Sequence, residues 1–190
     1  GNKSYTSSCW CKTYDGYGLQ VVTTSEIYLD GVTANENYLW GAHLEGSYVQ
    51  VTGSSFNLNR SLEDKNATGR GLEIESTGDA LLQFVEANNN QLFGANIQAD
   101  GVVTVLTSVF AGNQYSYYSC QGTRHGGYGL KVAAVGEILV GSSPDAPGVG
   151  VMAYENGAEG AILDGESTVE VWDSSFYDNG ADGAVIDGDS

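Results

Sequence analysis

Short runs of alternating apolar and polar residues recur along the whole chain, each opened by a glycine. Gly18-Leu19-Gln20-Val21, Gly71-Leu72-Glu73-Ile74 and Gly129-Leu130-Lys131-Val132 share one form. Gly41-Ala42-His43-Leu44, Gly94-Ala95-Asn96-Ile97 and Gly160-Ala161-Ile162-Leu163 share a second, interleaved with the first. A further run follows each, such as Glu26-Ile27-Tyr28-Leu29, Val49-Gln50-Val51 or Val169-Glu170-Val171. Alternation at period two is the strand signature, and helical spacing is nowhere sustained. The pattern predicts an all-β chain of six rungs and the start of a seventh, of two alternating types. Such units bury a core only by stacking on one another.

Stacking turns equivalent positions into columns. Val21, Leu44, Ile74, Ile97, Val132, Leu163 and Ile186 form one aliphatic column, with neighbours about 4.8 Å apart as in paired strands. Leu19, Ala42, Leu72, Ala95, Leu130 and Ala161 form another, large and small in turn. Every rung turns the same way, so the strands are predicted to be parallel. Asn35, Asn59, Asn88, Asn113 and Asn179 fall at one predicted corner, with Tyr154 in their place on the fifth rung. Their amides suit either sugar ligation or a ladder bonded from rung to rung, and recurrence at one corner favours the ladder.

A longer period overlies the rungs. Gly1-Asn2, Ser8-Cys9 and Gly16 to Val21 align without a gap to Gly112-Asn113, Ser119-Cys120 and Gly127 to Val132. The 190 residues therefore read as one body holding a first long repeat, 1–111, and a second, incomplete one, 112–190. Gly183 to Ser190 copies Gly160 to Ser167, so two rungs of the second type start in succession. Neither end carries a polar cap. The expectation is a window on a longer protein, or ends completed by neighbouring copies in a fibre.

Charge narrows the partners. With 24 acidic residues against 7 basic ones, the formal net charge is −17. Nucleic acid and anionic membrane surfaces, which need clustered Lys and Arg, are excluded as expected partners. No apolar run is long enough to span a membrane. No signal peptide precedes Gly1, as expected of a mature product or a fragment. Few lysines, abundant Asn, Thr and Tyr, and glycosylation sequons at Asn2, Asn59 and Asn66 lean towards an extracellular location.

Candidate chemistry sits mainly in insertions, which follow rungs of the second type at 1–17, 60–70 and 114–128. Tyr115, Tyr117, Tyr118, Arg124 and His125 combine aromatic rings, a cation and an imidazole, as a carbohydrate-binding loop would. A loop folded on itself is the favoured alternative. Glu45 with Glu75, and Asp164 with Asp187, are expected on neighbouring rungs and are the candidates for a shared calcium ion. Calcium takes six or more oxygens, and no compact calcium loop occurs, so solvated acids are the default and no other cofactor is expected. Catalysis by a lyase or an inverting hydrolase needs a base beside an acid cluster or paired carboxylates. Lys12, His43, Arg124, His125 and Lys131 are expected to stand apart from such clusters, so no enzyme is predicted. Cys9, Cys11 and Cys120 are an odd number of cysteines. Cys9 and Cys120 are four rungs apart and Cys9–Cys11 is strained, which leaves a link between chains open as well.

The consensus Gly-Leu-x-Val … Val-Thr-Ala-x-x-Asn, then Gly-Ala-x-Leu … Val-x-Val-x-Gly-Ser-x-Phe-x-x-Asn, is best seen in Gly18 to Asn35 and Gly41 to Asn59. It resembles the parallel β-helix, pectin-lyase-like repeats of large bacterial extracellular surface and fibre-forming proteins. The resemblance covers nearly the whole chain and implies a right-handed parallel β-helix. It also implies a structural component of an extracellular filament or adhesin-like surface protein, and it carries over no catalytic residue. Expected partners are copies of itself or the rest of a longer repeat chain, with extracellular polysaccharide as a further candidate. The alternative is a carbohydrate-binding or polysaccharide-cleaving module. The cysteine-bearing insertion and the two successive rung starts depart from the family pattern.

Overall fold

The computed structural model describes residues 4–8, 11–60, 69–119 and 122–188, with backbone alone for 4–8, 11–15, 115–119 and 122–126. The described residues form strands and turns without a helix. In chain order the strands are β1 (Ser4–Ser8), β2 (Cys11–Asp15), β3 (Leu19–Val22), β4 (Glu26–Asp30), β5 (Trp40–Gly46), β6 (Tyr48–Thr52) and β7 (Arg70–Ser76). They continue with β8 (Ala80–Gln83), β9 (Phe93–Ala99), β10 (Val103–Leu106), β11 (Val109–Ala111), β12 (Tyr115–Ser119), β13 (Gly122–Gly126) and β14 (Tyr128–Ala134). The last are β15 (Ile138–Gly141), β16 (Met152–Tyr154), β17 (Ala161–Gly165), β18 (Val169–Val171), β19 (Ser175–Tyr177) and β20 (Ala184–Gly188).

Three parallel sheets collect all of these strands but β1, β2, β12 and β13. The first has seven strands in the order β20-β17-β14-β9-β7-β5-β3, and the second six, β18-β15-β10-β8-β6-β4. The third is β11-β16-β19, extended by single bridges Thr33–Ser55–Glu86–Val109. The chain visits the sheets in the same order six times and then adds β20, which we describe as six circuits and the first strand of a seventh. All-β architecture and parallel pairing are as expected. So is the first-sheet register, in which Leu19, Ala42, Leu72, Ala95, Leu130 and Ala161 are partners in succession.

Packing explains the two circuit types. On the inner side of the third sheet stand Ala34, Phe56, Ala87, Phe110, Ala153 and Phe176, the opposite phase of the Leu/Ala column. A layer with Leu in the first sheet thus has Ala in the third, and a layer with Ala has Phe. Each layer keeps a similar volume while large residues settle over small ones, as dense interiors require. Phe56, Phe110, Leu72 and Leu130 are fully buried. Val32, Val85 and Val151 alternate with Ser54, Ser108 and Ser174 beside them. Each serine hydroxyl accepts from the valine N–H of the circuit before it, at 3.0–3.1 Å, and donates to the carbonyl two residues back.

The expected single asparagine corner is in fact two columns, two residues apart. Asn35, Asn57 and Asn88 form the outer one, each side-chain oxygen accepting a backbone N–H from the next circuit, at Asn57, Asn88 and Ala111. Tyr154 and Tyr177 continue this outer column. The inner column is Asn37, Asn59, Asn90, Asn113, Asn156 and Asn179, present in every circuit. Asn59, Asn113 and Asn179 therefore belong to one column, and Asn35 and Asn88 to the other. Between the columns each circuit turns through one left-handed residue: Glu36, Leu58, Asn89, Gly112, Glu155 or Asp178, at φ from 53° to 64°. That sharp corner makes a spacing of two read as one position. The inner column also demands the glycine at the head of each first-sheet strand. A Cβ on Gly129 would lie 2.7 Å from Asn156 Nδ2 and 3.0 Å from the Phe110 carbonyl oxygen.

The insertions differ from the expected loops. Segments β1–β2 and β12–β13 are antiparallel hairpins, formed by Thr-, Tyr- and Ser-rich residues that pair with each other instead of joining the sheets. They lead into circuits one and five. A further insertion, 142–150, lies in circuit five, where Gln83 Nε2 donates to Ser143 Oγ at 2.6 Å and Thr107 Oγ1 to the Val149 carbonyl at 2.7 Å.

Candidate functional site

Alternation along the first-sheet strands sends every second residue to the outer face. Gln20, His43, Glu73, Asn96 and Lys131 are register partners there. At the strand starts Trp40, Arg70, Phe93 and Tyr128 form a parallel row, and Tyr17 extends it with its ring centroid 4.7 Å from that of Trp40. The Arg70 guanidinium lies 5.0 Å from the ring centroids of both Trp40 and Phe93. Its Nη1 donates to Glu73 Oε2 at 2.8 Å, and Asn96 Nδ2 donates to Glu73 Oε1 at 2.7 Å. His43 packs edge-on against Trp40, with ring centroids 4.5 Å apart, and its Nε2 is 3.1 Å from Glu45 Oε1. Glu73 and His43 are buried.

This row is closed on itself. The cation occupies ring faces that a sugar would stack on, at about 0.5–1 kcal/mol per cation–π contact where exposed and more where desolvated. Glu73 spends both oxygens within the row. The face therefore works as a clamp across circuits one to four, leaving Lys131 as its exposed outward cation. The sequence reading missed the row. Its signal is the residue directly before each strand glycine: Tyr17, Trp40, Arg70, Phe93 and Tyr128. His43 is expected to stand apart from an acid cluster; strand register puts it two residues from Glu45 on the same strand face, with that carboxylate 3.1 Å from Nε2.

The carboxylate pairs fall as expected, Glu45 opposite Glu75 and Asp164 opposite Asp187. Gln98 and Ala133 separate the two pairs in that column. Glu45, Glu75 and Asp164 line a groove of about 570 Å³ together with Thr23, Thr77 and Val135. Among the described residues no three Asp, Glu, His or Cys side chains come together as metal ligands. The two carboxylates of each pair offer at most four oxygens where calcium takes six to eight, so an ion there would need further oxygens from backbone carbonyls or water.

The proposed ligand residues lie on the second hairpin, where register sets Tyr117 opposite Arg124, Ser116 opposite His125, Tyr118 opposite Thr123 and Tyr115 opposite Gly126. Cys11 opens β2 opposite Ser8. Cys9, Cys120, Asn2 and Asn66 lie outside the described residues. Asn59 is fully buried, and its Nδ2 donates to Asn90 Oδ1 at 2.9 Å. The sequon there is thereby corrected, because an amide locked in the inner column cannot carry a glycan in the folded chain.

Two further aromatic pairs stand outside these sites. Tyr154 and Tyr177 stack with centroids 5.0 Å apart and planes 4° from parallel. On the second sheet the Tyr28 hydroxyl donates to Glu26 Oε2 at 2.7 Å, and this bond to a carboxylate raises its pKa above the ordinary phenol value. Burial does the same for Tyr48, helped by Asp79 and Glu26. No family model matches the chain, and neither a curated protein nor a solved structure matches it.

Proposed function

We propose that the chain is a section of a right-handed parallel β-helix that serves as a structural scaffold in an extracellular filament or adhesin-like surface protein. In this reading it is not an enzyme, and its work is to extend a stack of layers. The inner asparagine column carries the reading. From Asn59 to Asn156 each amide oxygen accepts from the layer before and each Nδ2 donates to the asparagine of the next, so these layers repeat one contact. Polar groups used this way set stacking order and no ligand pocket. Two measurements test the proposal. Duplicating residues 69–113, one pair of circuits, is expected to preserve the fold and lengthen the particle by about 10 Å in small-angle scattering, two strand spacings. Antibodies to the chain are expected to label the outside of intact source cells or their fibres. Label confined to the cell interior, or a duplicated chain that no longer folds, refutes the scaffold.

A second reading, carbohydrate binding, is favoured by one observation: both described hairpins enter beside the aromatic row, ahead of Tyr17 and Tyr128. Retardation in gels containing polygalacturonate or a neutral glucan, abolished by removing 115–126, would support it over the scaffold.

A further inference from the structure

The outer asparagine column changes character partway along the molecule. Over circuits one to three its amides tie each layer to the next, and the last of these ties ends on the Ala111 N–H. Ala111 has no polar side chain with which to continue. Beyond it stand Tyr154 and Tyr177, register partners on the neighbouring parallel strands β16 and β19. Their rings stack with centroids 5.0 Å apart and planes 4° from parallel. Phenylalanine would stack equally well. What tyrosine adds is a phenol, and with it access to one-electron oxidation.

Resting on the scaffold reading, which sets the chain outside the cell among secreted oxidants, we propose that Tyr154 and Tyr177 are an oxidative cross-linking site. One covalent bond there joins two layers where the amide column has stopped. The oxidant is hydrogen peroxide acting through a haem peroxidase. Each phenol gives up one electron and its hydroxyl proton and becomes a phenoxyl radical, with unpaired density on the ring carbons beside the oxygen. The two radicals couple through one Cε of each ring. The hydrogens on those carbons then move to the oxygens and restore both phenols. One peroxide takes up the two electrons and two protons and leaves as two waters. The product is a dityrosine bridge, two hydrogens lighter than the starting chain.

Parallel register is what favours this pair. Partners on adjacent parallel strands have side chains pointing the same way from backbones about 4.8 Å apart, so the radicals meet by rotation of their side chains alone. The second sheet supplies the contrast. Tyr28 and Tyr48 have centroids 5.7 Å apart, but their planes are tilted by 51°. Register sets Tyr28 opposite Gln50 and Tyr48 opposite Glu26, so these two tyrosines are diagonal. Each phenol is also held, Tyr28 donating to Glu26 Oε2 at 2.7 Å and Tyr48 to Gln50 Oε1 at 3.2 Å. A bridge between Tyr154 and Tyr177 closes a loop of chain and so restricts the unfolded state, as other cross-links do.

The test treats the full chain, at low concentration, with a haem peroxidase and hydrogen peroxide. The expected product is a monomer that gains dityrosine fluorescence and is two hydrogens lighter in intact mass. Its digest is expected to contain one peptide pair joined through Tyr154 and Tyr177. Tyr154→Phe and Tyr177→Phe, which keep a stacked ring without the phenol, are each expected to lose that pair and most of the monomer's fluorescence. Tyr48→Phe should keep both. Bridges confined to pairs of chains overturn the proposal, as does equal monomer fluorescence in Tyr154→Phe or a digest in which Tyr28–Tyr48 is the main bridge. Antibody label confined to the cell interior, with the bridge still forming, refutes the scaffold and leaves the cross-linking site standing. Surface label with no bridge does the reverse.

Discussion

Truncating Asn113 to alanine removes the centre of the inner column. The side chain is fully buried, and its Oδ1 accepts from the Asn90 N–H at 2.9 Å and from Asn90 Nδ2 at 3.1 Å. Its Nδ2 donates to the Ala87 carbonyl and to Asn156 Oδ1, both at 3.0 Å. Asn156 Oδ1 keeps a second donor, the Asn113 backbone N–H, so three groups are orphaned: the Asn90 N–H, an Asn90 amide proton and the Ala87 carbonyl. Each orphaned buried group costs about 1–3 kcal/mol. Taking the lower half of that range, because alanine leaves room for water, Asn113→Ala should lose about 3–6 kcal/mol. That is a large share of the roughly 5–15 kcal/mol typical of a domain. The control is Asn88→Ala in the outer column, which loses one bond, to the Ala111 N–H at 2.7 Å, at a half-exposed site. It should cost about 1 kcal/mol. Urea unfolding followed by circular dichroism measures both. A cost below about 1 kcal/mol for Asn113→Ala, or equal costs for the two, would show that the inner column does not hold the layers together.

Gly129→Ala should cost about 3 kcal/mol or more, since its Cβ meets backbone and the buried amide of Asn156. Gly31→Ala, with φ of 62° but open space around it, should cost only about 1–2 kcal/mol in the same assay. Leu58 is exposed at φ 59°, so Leu58→Asn should raise the melting temperature, relieving about 1 kcal/mol of left-handed strain. The Tyr28 phenol should titrate above its ordinary value of about 10, and Glu26→Gln should lower it, as read by near-ultraviolet absorbance. Because the folded value is the raised one, any stability linked to Tyr28 is present below pH of about 10 and lost as pH rises through the folded value.

Much of the fold is legible because a buried column admits few residue types. Val21 to Ile186 stand out in the sequence, and their register follows from the glycine before each strand. The asparagines were harder to place. Circuits one to three carry two each, as in Asn57 and Asn59, and a count by spacing cannot separate an outer amide from a buried one. What separates them is the left-handed corner between, which circuit four spells with Gly112 and the others with Glu, Leu, Asn or Asp. Insertion 142–150 displaced Asn156 from its expected place and left Tyr154 standing for it. The hairpins were read as loops because their alternation is polar on both faces, and strands that pair only with each other need no apolar side. The clamp around Arg70 is legible only in three dimensions, since Trp40, Arg70 and Phe93 meet through register across separate circuits.

The alternation of valine and serine in the third sheet sets the grain of the molecule. Serine hydroxyls tie circuit one to two, three to four and five to six, and never two to three or four to five. The second hairpin and the 60–70 segment enter at the joints between these couples. The heritable unit is therefore the couple, not the single turn. Removing one turn sets phenylalanine over phenylalanine and serine over serine, or leucine over leucine and valine over valine, whereas removing a couple restores every contact. Natural length variants of this chain should accordingly differ by even numbers of turns.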